Sequence, residues 1–189
     1  VQHYAHLQEL ITDKEAAMGI PTYFSGIDKM LIGMGPADLI VVGARPGMGK
    51  TAFCLNIAAN VACKQKKAVA IFSLEMSNEQ IVSRMLSSEA LIDSYKMRSG
   101  ELEGNDWANL ARAAAVLSET DILIDDTTGI TVTGMKAKLR RVKNLGLVII
   151  DYLQLMQSDT KNDNRVQEIG EISRNLKLLA KDLKVPVIT

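Results

Sequence analysis

The sequence predicts an α/β fold, a parallel β-sheet with helices on both faces, and three observations carry that expectation. Short apolar runs recur at 38–43, 68–74, 121–124, 145–150 and 185–189, each suited to a strand covered on both sides. Between them lie segments whose apolar residues repeat at helical spacing, and such alternation argues for parallel strands. The run Ala44-Arg45-Pro46-Gly47-Met48-Gly49-Lys50-Thr51 separates the first apolar run from a long helical pattern, the context in which a Gly-rich loop binds phosphate.

The elements follow in order. Val1 to Lys14 places Tyr4, Leu7, Leu10 and Ile11 on one stripe, as an amphipathic helix would, and Gly19-Ile20-Pro21-Thr22 breaks the pattern. That helix could pack on its own domain or on a neighbour. Asp38 to Gly43 is the first strand, buried on both faces. In the loop after it, backbone N–H groups and the dipole of the next helix, which opens at Ala52, can face phosphate oxygens. Gly47 and Gly49 let the backbone come close, Lys50 reaches the β- and γ-phosphates, and the Thr51 hydroxyl is placed to hold Mg²⁺. The usual pattern opens with Gly, whereas Ala44 lacks the left-handed freedom of Gly.

Ala52, Phe53, Leu55, Ile57, Ala58, Val61 and Ala62 mark the helix after the loop. Ala68 to Leu74 is the second strand; Ser77 and Gln80 then form a capping box for a helix that carries Ile81, Met85 and Leu86 inward. Trp107, Leu110, Ala114 and Leu117 mark another helix, and Asp121 to Ile124 the third strand. Met135, Leu139 and Val142 give a stripe before the fourth strand, Leu145 to Ile150. Gln157 to Asn164 is polar and reads as a mobile loop. Ile169, Ile172, Leu176, Leu179 and Leu183 lead into a fifth strand from Val185.

A chain of 189 residues suits one domain with an appendage. No apolar run is long enough to cross a bilayer and no signal peptide is visible, so no membrane is expected. Basic and acidic residues balance at 22 each, which requires any nucleic-acid contact to come from a local patch. Cys54 and Cys63 fall on one predicted helix, about 13 Å apart by helical rise. That is too far for a disulfide, so they read as buried small hydrophobes in a reducing, cytoplasmic compartment. His3 and His6 share a helix face with only Glu9 nearby, too few ligands for a metal site.

Ligands of an open parallel sheet bind beyond the carboxyl ends of its strands, and Glu75, Asp125 with Asp126, and Asp151 are the acids there. A loop of this class needs one strand-end acid on the Mg²⁺ side, and Asp125 and Asp151 both have the form. The longer apolar run before Asp151 favours a central strand, while Asp125-Asp126 also suits the cap of a turn at Thr127-Thr128-Gly129. Glu75 has the reach to orient an attacking water, and the competing reading is a helix-start carboxylate favoured by the dipole.

Residues 44–51, Phe72-Ser73-Leu74-Glu75-Met76-Ser77, Ile149-Ile150-Asp151-Tyr152-Leu153-Gln154-Leu155 and Glu171-Ile172-Ser173-Arg174-Asn175-Leu176-Lys177 together resemble the bacterial or phage replicative DNA helicases of the DnaB type. The similarity covers 19–189, the RecA-like P-loop ATPase domain, with 1–18 matching the linker helix that docks on an adjacent subunit. The resemblance implies a homo-hexameric ring that hydrolyses ATP while moving along single-stranded DNA, with a primase and a helicase loader as partners. It assigns Lys50 and Thr51 to the phosphates and Mg²⁺, Glu75 to the water, and Asp151 to the metal. Within the basic run Lys136, Lys138, Arg140, Arg141 and Lys143 it makes Arg140 and Arg141 DNA contacts, although such a run also suits a solvated helix face.

Two departures from the pattern are visible. Tyr23 stands where the family usually has Gly, and the chain stops at Thr189, before the family's sensor residue, second DNA loop and arginine finger. Weak nucleotide turnover by this chain alone is therefore expected. The alternatives are a nucleotide-gated oligomerisation module, or another RecA-like ATPase of the recombination or clock type; the Asp-Tyr-Leu-Gln-Leu stretch disfavours the latter.

Overall fold

The computed structural model describes residues 18–158 and 164–189. The helix expected over Val1–Lys14, with His3 and His6, lies outside the described residues, as does the centre of the polar loop, 159–163. A short helix α1 (Ser25–Leu31) precedes β1 (Leu39–Ile40), α2 (Lys50–Gln65), β2 (Ala68–Ser73) and α3 (Asn78–Ala90). There follow α4 (Ser94–Ser99), α5 (Gly104–Ser118), β3 (Ile122–Asp125), α6 (Val132–Leu139), β4 (Leu145–Asp151), α7 (Arg165–Leu183) and β5 (Val187–Ile188). All five strands are parallel, in the order β1-β5-β4-β2-β3.

Strand alternation divides the core between the two faces of this sheet. Phe72, Val148 and Ile150 point to one side, where Met135 and Leu139 of α6 and Ile172, Leu176 and Leu179 of α7 cover them. Val69, Ile71, Leu147 and Ile149 point to the other, against Ile57, Ala58 and Val61 of α2 and Ile81 of α3. Each such side chain is worth about 1.5–3 kcal/mol of burial, so β2 and β4, buried along nearly their whole length, anchor the domain. The capping box of α3 forms as expected, with Ser77 accepting from Gln80 N and Gln80 Oε1 accepting from Ser77 N.

The edges differ from the sequence expectation. β1 is a half-buried strand of two residues rather than a doubly buried run over 38–43, because only β5 pairs with it and Val41 turns out to solvent. β3 is the other edge, shifted to end on Asp125, with Leu123 exposed. Helix α5 packs through Leu110 and Ala113, with Leu117 half-buried, whereas Trp107 and Ala114 face solvent. Val142 lies beyond the end of α6, and Cys63 is only half-buried while Cys54 is buried.

Ahead of the sheet, Ile20 and Met34 form an antiparallel bridge through hydrogen bonds of 2.8 and 2.7 Å. Tyr23 adopts the left-handed region at φ 66°, a backbone conformation that favours Gly. The conformation costs about 1–2 kcal/mol in a non-Gly residue. Local bonds offset it: Asp28 accepts from the Thr22 N–H, the Thr22 hydroxyl and the Tyr23 N–H, and the Lys64 ammonium sits 4.3 Å from the Tyr23 ring centroid.

A Cβ at Gly19 would lie 2.4 Å from the Met34 carbonyl, and backbone cannot yield as a flexible side chain does. Gly19→Ala is expected to destabilise the domain by about 1–3 kcal/mol in urea unfolding. Gly26→Ala, on α1 with nothing within 4 Å, should instead gain about 0.5–1 kcal/mol.

Candidate functional site

Because the strands are parallel, their carboxyl ends share one edge, and there a cleft of about 710 Å³ opens between the 41–51 segment, Glu75 and the Tyr152–Gln154 turn. The loop between β1 and α2 is exposed and shaped by two left-handed glycines, Gly47 at φ 79° and Gly49 at φ 86°. A Cβ at either would meet nothing within 4 Å, so the backbone angle, not crowding, requires Gly. Ala44 is not left-handed, and the loop therefore needs no Gly at its first position. Gly49 caps α2, whose unpaired N–H groups open into the cleft.

Asp151 ends β4 and is the acid brought to this loop. Its Oδ2 accepts a hydrogen bond of 2.6 Å from the Thr51 hydroxyl, and its Oδ1 lies 2.8 Å from Lys50 Nζ. The carboxylate is 5% exposed, and its Oδ1 is compensated by the Lys50 ammonium alone. Lys50 Nζ also sits 4.4 Å from the centroid of the Tyr152 ring.

Glu75 lines the same cleft from the end of β2, ahead of Ser77 and thus before the first turn of α3; Glu79 is the acid in that turn. Its turn is fixed from behind. The buried Ser73 hydroxyl donates to Met76 O at 2.6 Å and accepts from Met76 N, and Leu74 N donates to Asp151 O at 2.8 Å. The ends of β2 and β4 are thereby held together.

Asp125 and Asp126 serve the fold instead. Asp125 accepts from Thr127 N at 3.0 Å and from the Lys138 ammonium. Burial alone would raise its pKa, but those bonds outweigh it and hold the carboxyl below its ordinary value. Asp126 accepts from Asn78 N at the start of α3. In the basic run, Lys136 pairs with Asp182 and Lys138 with Asp125, leaving Arg140, Arg141 and Lys143 exposed ahead of β4. β4 spans roughly 20 Å, so these arginines sit at the opposite edge of the sheet from Asp151.

Some residues of the cleft were not singled out from sequence. Tyr152 lines it next to Asp151, and the buried Ser73 fixes the turn behind Glu75; both lie within the motifs, a signal that periodicity does not register. Thr189 lines the cleft with a buried Oγ1 that has no hydrogen-bond partner among the described residues, and Arg84 of α3 lines the same cleft. Among the described residues no group of three or more His, Cys, Asp or Glu could hold a metal by itself. The Thr51 hydroxyl and the Asp151 carboxylate, adjacent oxygen donors at the cleft, instead fit a hard cation that takes its other ligands from phosphate and water.

Fold and cleft together define a P-loop domain of RecA-like architecture. At 18% identity and a TM-score of 0.52 the RadB recombinase shares that fold over 90% of this chain and 68% of its own. The family model for the DnaB-like helicase C-terminal domain matches residues 19–189, and the chain belongs to that family. It is 51% identical to the replicative DNA helicase DnaC of Bacillus subtilis and 50% identical to the replicative DNA helicase DnaB of Geobacillus stearothermophilus. Both matches cover 100% of this chain but 42% of the relative, so the chain spans about two fifths of their length. Among solved structures, a DnaB-like replicative helicase, described with its primase interactions, superposes with a TM-score of 0.90 at 32% identity, over 98% of this chain and 46% of that one. A second solved structure, of an ATPase domain, gives 0.92 at 32%, over 99% and 68%.

Cys54 packs behind this site, and burial first, then the Asp151 charge, pushes its thiol up to about 11, with Lys50 opposing. The folded thiol is the weaker acid, so its contribution to stability is intact below the ordinary value of 9.0 and is lost as pH rises toward about 11. At about pH 8 a thiol reagent should label Cys63 readily and Cys54 only at the rate of unfolding. Equal labelling rates in the native protein would contradict this placement.

Proposed function

We propose that this chain is the ATP-hydrolysing motor domain of a replicative DNA helicase that moves on single-stranded DNA as a hexameric ring. The observation that carries this reading is the convergence of Lys50 and Thr51 on the buried Asp151 at a cleft that Glu75 also lines. Backbone N–H groups of residues 44–52 cradle the phosphates and Lys50 neutralises their charge. Thr51 and Asp151 hold Mg²⁺, which when bound offsets charge on the phosphate oxygens. Glu75 accepts a hydrogen bond from the attacking water and orients it, held by the Ser73–Met76 turn.

Residues 1–18 would serve as the linker to a neighbouring subunit, and the other parts of the site would come from the rest of the protein and from that neighbour. Arg140 and Arg141 remain the DNA contacts proposed for this segment. Their place at the far edge of the sheet makes them independent of the nucleotide cleft. A primase partner is proposed from the relative described with one, and a loader and a cytoplasmic setting from the family. No described helix is long and apolar enough to cross a membrane.

In the full-length protein, Glu75→Gln should lower kcat for ATP hydrolysis about 10²–10⁴-fold and abolish fork unwinding, with nucleotide affinity nearly unchanged. Retained unwinding would refute the role of Glu75. Charge reversal at Arg140 and Arg141 should weaken binding of a single-stranded oligonucleotide and reduce its salt dependence by about 0.7 in log–log slope per lost phosphate contact. An unchanged slope would remove both residues from the DNA surface.

A further inference from the structure

Both loop groups that nucleotide binding needs are committed to one carboxylate. Thr51 donates to Asp151 Oδ2, and Lys50 lies between Asp151 Oδ1 at 2.8 Å and the face of Tyr152 at 4.4 Å. Phosphate oxygens in the cleft compete with Asp151 for the one positive charge of Lys50, and the more they draw it toward themselves the less it compensates the carboxylate. If it leaves, a carboxylate that is 5% exposed is left with one hydroxyl for company. An uncompensated buried charge is among the costliest changes a protein can undergo. A divalent cation at Thr51 and Asp151 removes that cost by taking over the role of Lys50.

We propose that Asp151 and Tyr152 form a resting clamp on Lys50 that releases it to the phosphates only when a divalent cation replaces its charge at Asp151. Nucleotide and cation then bind with strong positive coupling, and the coupling resides in Asp151 rather than in the phosphate loop. Tyr152 is a positioning residue: its ring face attracts the ammonium and holds it over the cleft without accepting a hydrogen bond. A phenyl ring supplies the same face, and an aliphatic side chain does not.

The proposal rests on the nucleotide-binding reading, and titration of the full-length protein with fluorescent ADP, with Mg²⁺ or with EDTA, separates the two. The wild-type chain should bind far more weakly in EDTA. Asp151→Asn should tighten binding in EDTA by about tenfold or more and nearly erase the Mg²⁺ effect, since no buried charge is abandoned. Tyr152→Leu should tighten EDTA binding by about threefold, and Tyr152→Phe should match wild type. If both Asp151→Asn and Tyr152→Leu keep the wild-type ratio of affinities, the clamp is refuted while nucleotide binding stands. If the wild-type chain binds no ADP even with Mg²⁺, the nucleotide reading falls and the clamp with it. Tyr152 is half-buried in a turn, so its variants keep the test open should Asp151→Asn fail to fold.

Discussion

The buried carboxylate of Asp151 is the interaction on which the rest of this structure turns. A charge at the end of a central strand must be compensated, and in this chain the compensation comes from Lys50 and Thr51 at the start of α2. The contact crosses β5, which lies between β1 and β4, and so fixes the loop against a strand that does not pair with its own. Through its main-chain carbonyl the same residue accepts from Leu74 N and holds the turn that carries Glu75. One residue thus ties together the loop, the acid across the cleft and the sheet edge.

The sheet tolerates this polar edge because its middle is so apolar. β2 and β4 contribute side chains to both faces, and α2 with α3 on one side and α6 with α7 on the other exclude water from them. The ion pairs at the periphery, Lys136 with Asp182 and Lys138 with Asp125, stand in contact with solvent and are weak beside the burial of the core. Their effect is to narrow the basic run: two of its lysines are occupied, and the exposed arginines stand at the edge away from the cleft.

Left-handed backbone recurs at several turns of the chain, and two of them contrast. Gly47 and Gly49 take such angles where the loop must bend toward a phosphate, and Ala44 needs none. Tyr23 shows the opposite solution, a bulky side chain kept in that region by Asp28 and by the Lys64 ammonium over its ring. The loop conformation therefore depends on its two later glycines, and the turn at Tyr23 depends on side-chain bonds.

The sequence alone determined the alternation of strands and helices, the phosphate loop, the capping box at Ser77 and the membership of Glu75 and Asp151 in strand-end motifs. Each of these is local: a period, a spacing or a short run whose chemistry is complete within a few residues. What it left undecided depended on neighbours. Residue pattern kept both Asp125 and Asp151 open and the family resemblance pointed to Asp151; strand order supplies the reason, because Asp125 ends an edge strand beside Lys138 while Asp151 ends a central one. The shortness of β1, the exposure of Trp107 and the commitment of Lys136 and Lys138 likewise depend on what packs alongside. The hold of Tyr152 and Asp151 on Lys50 joins groups distant in the chain, and only the folded sheet brings them within charge range of one another.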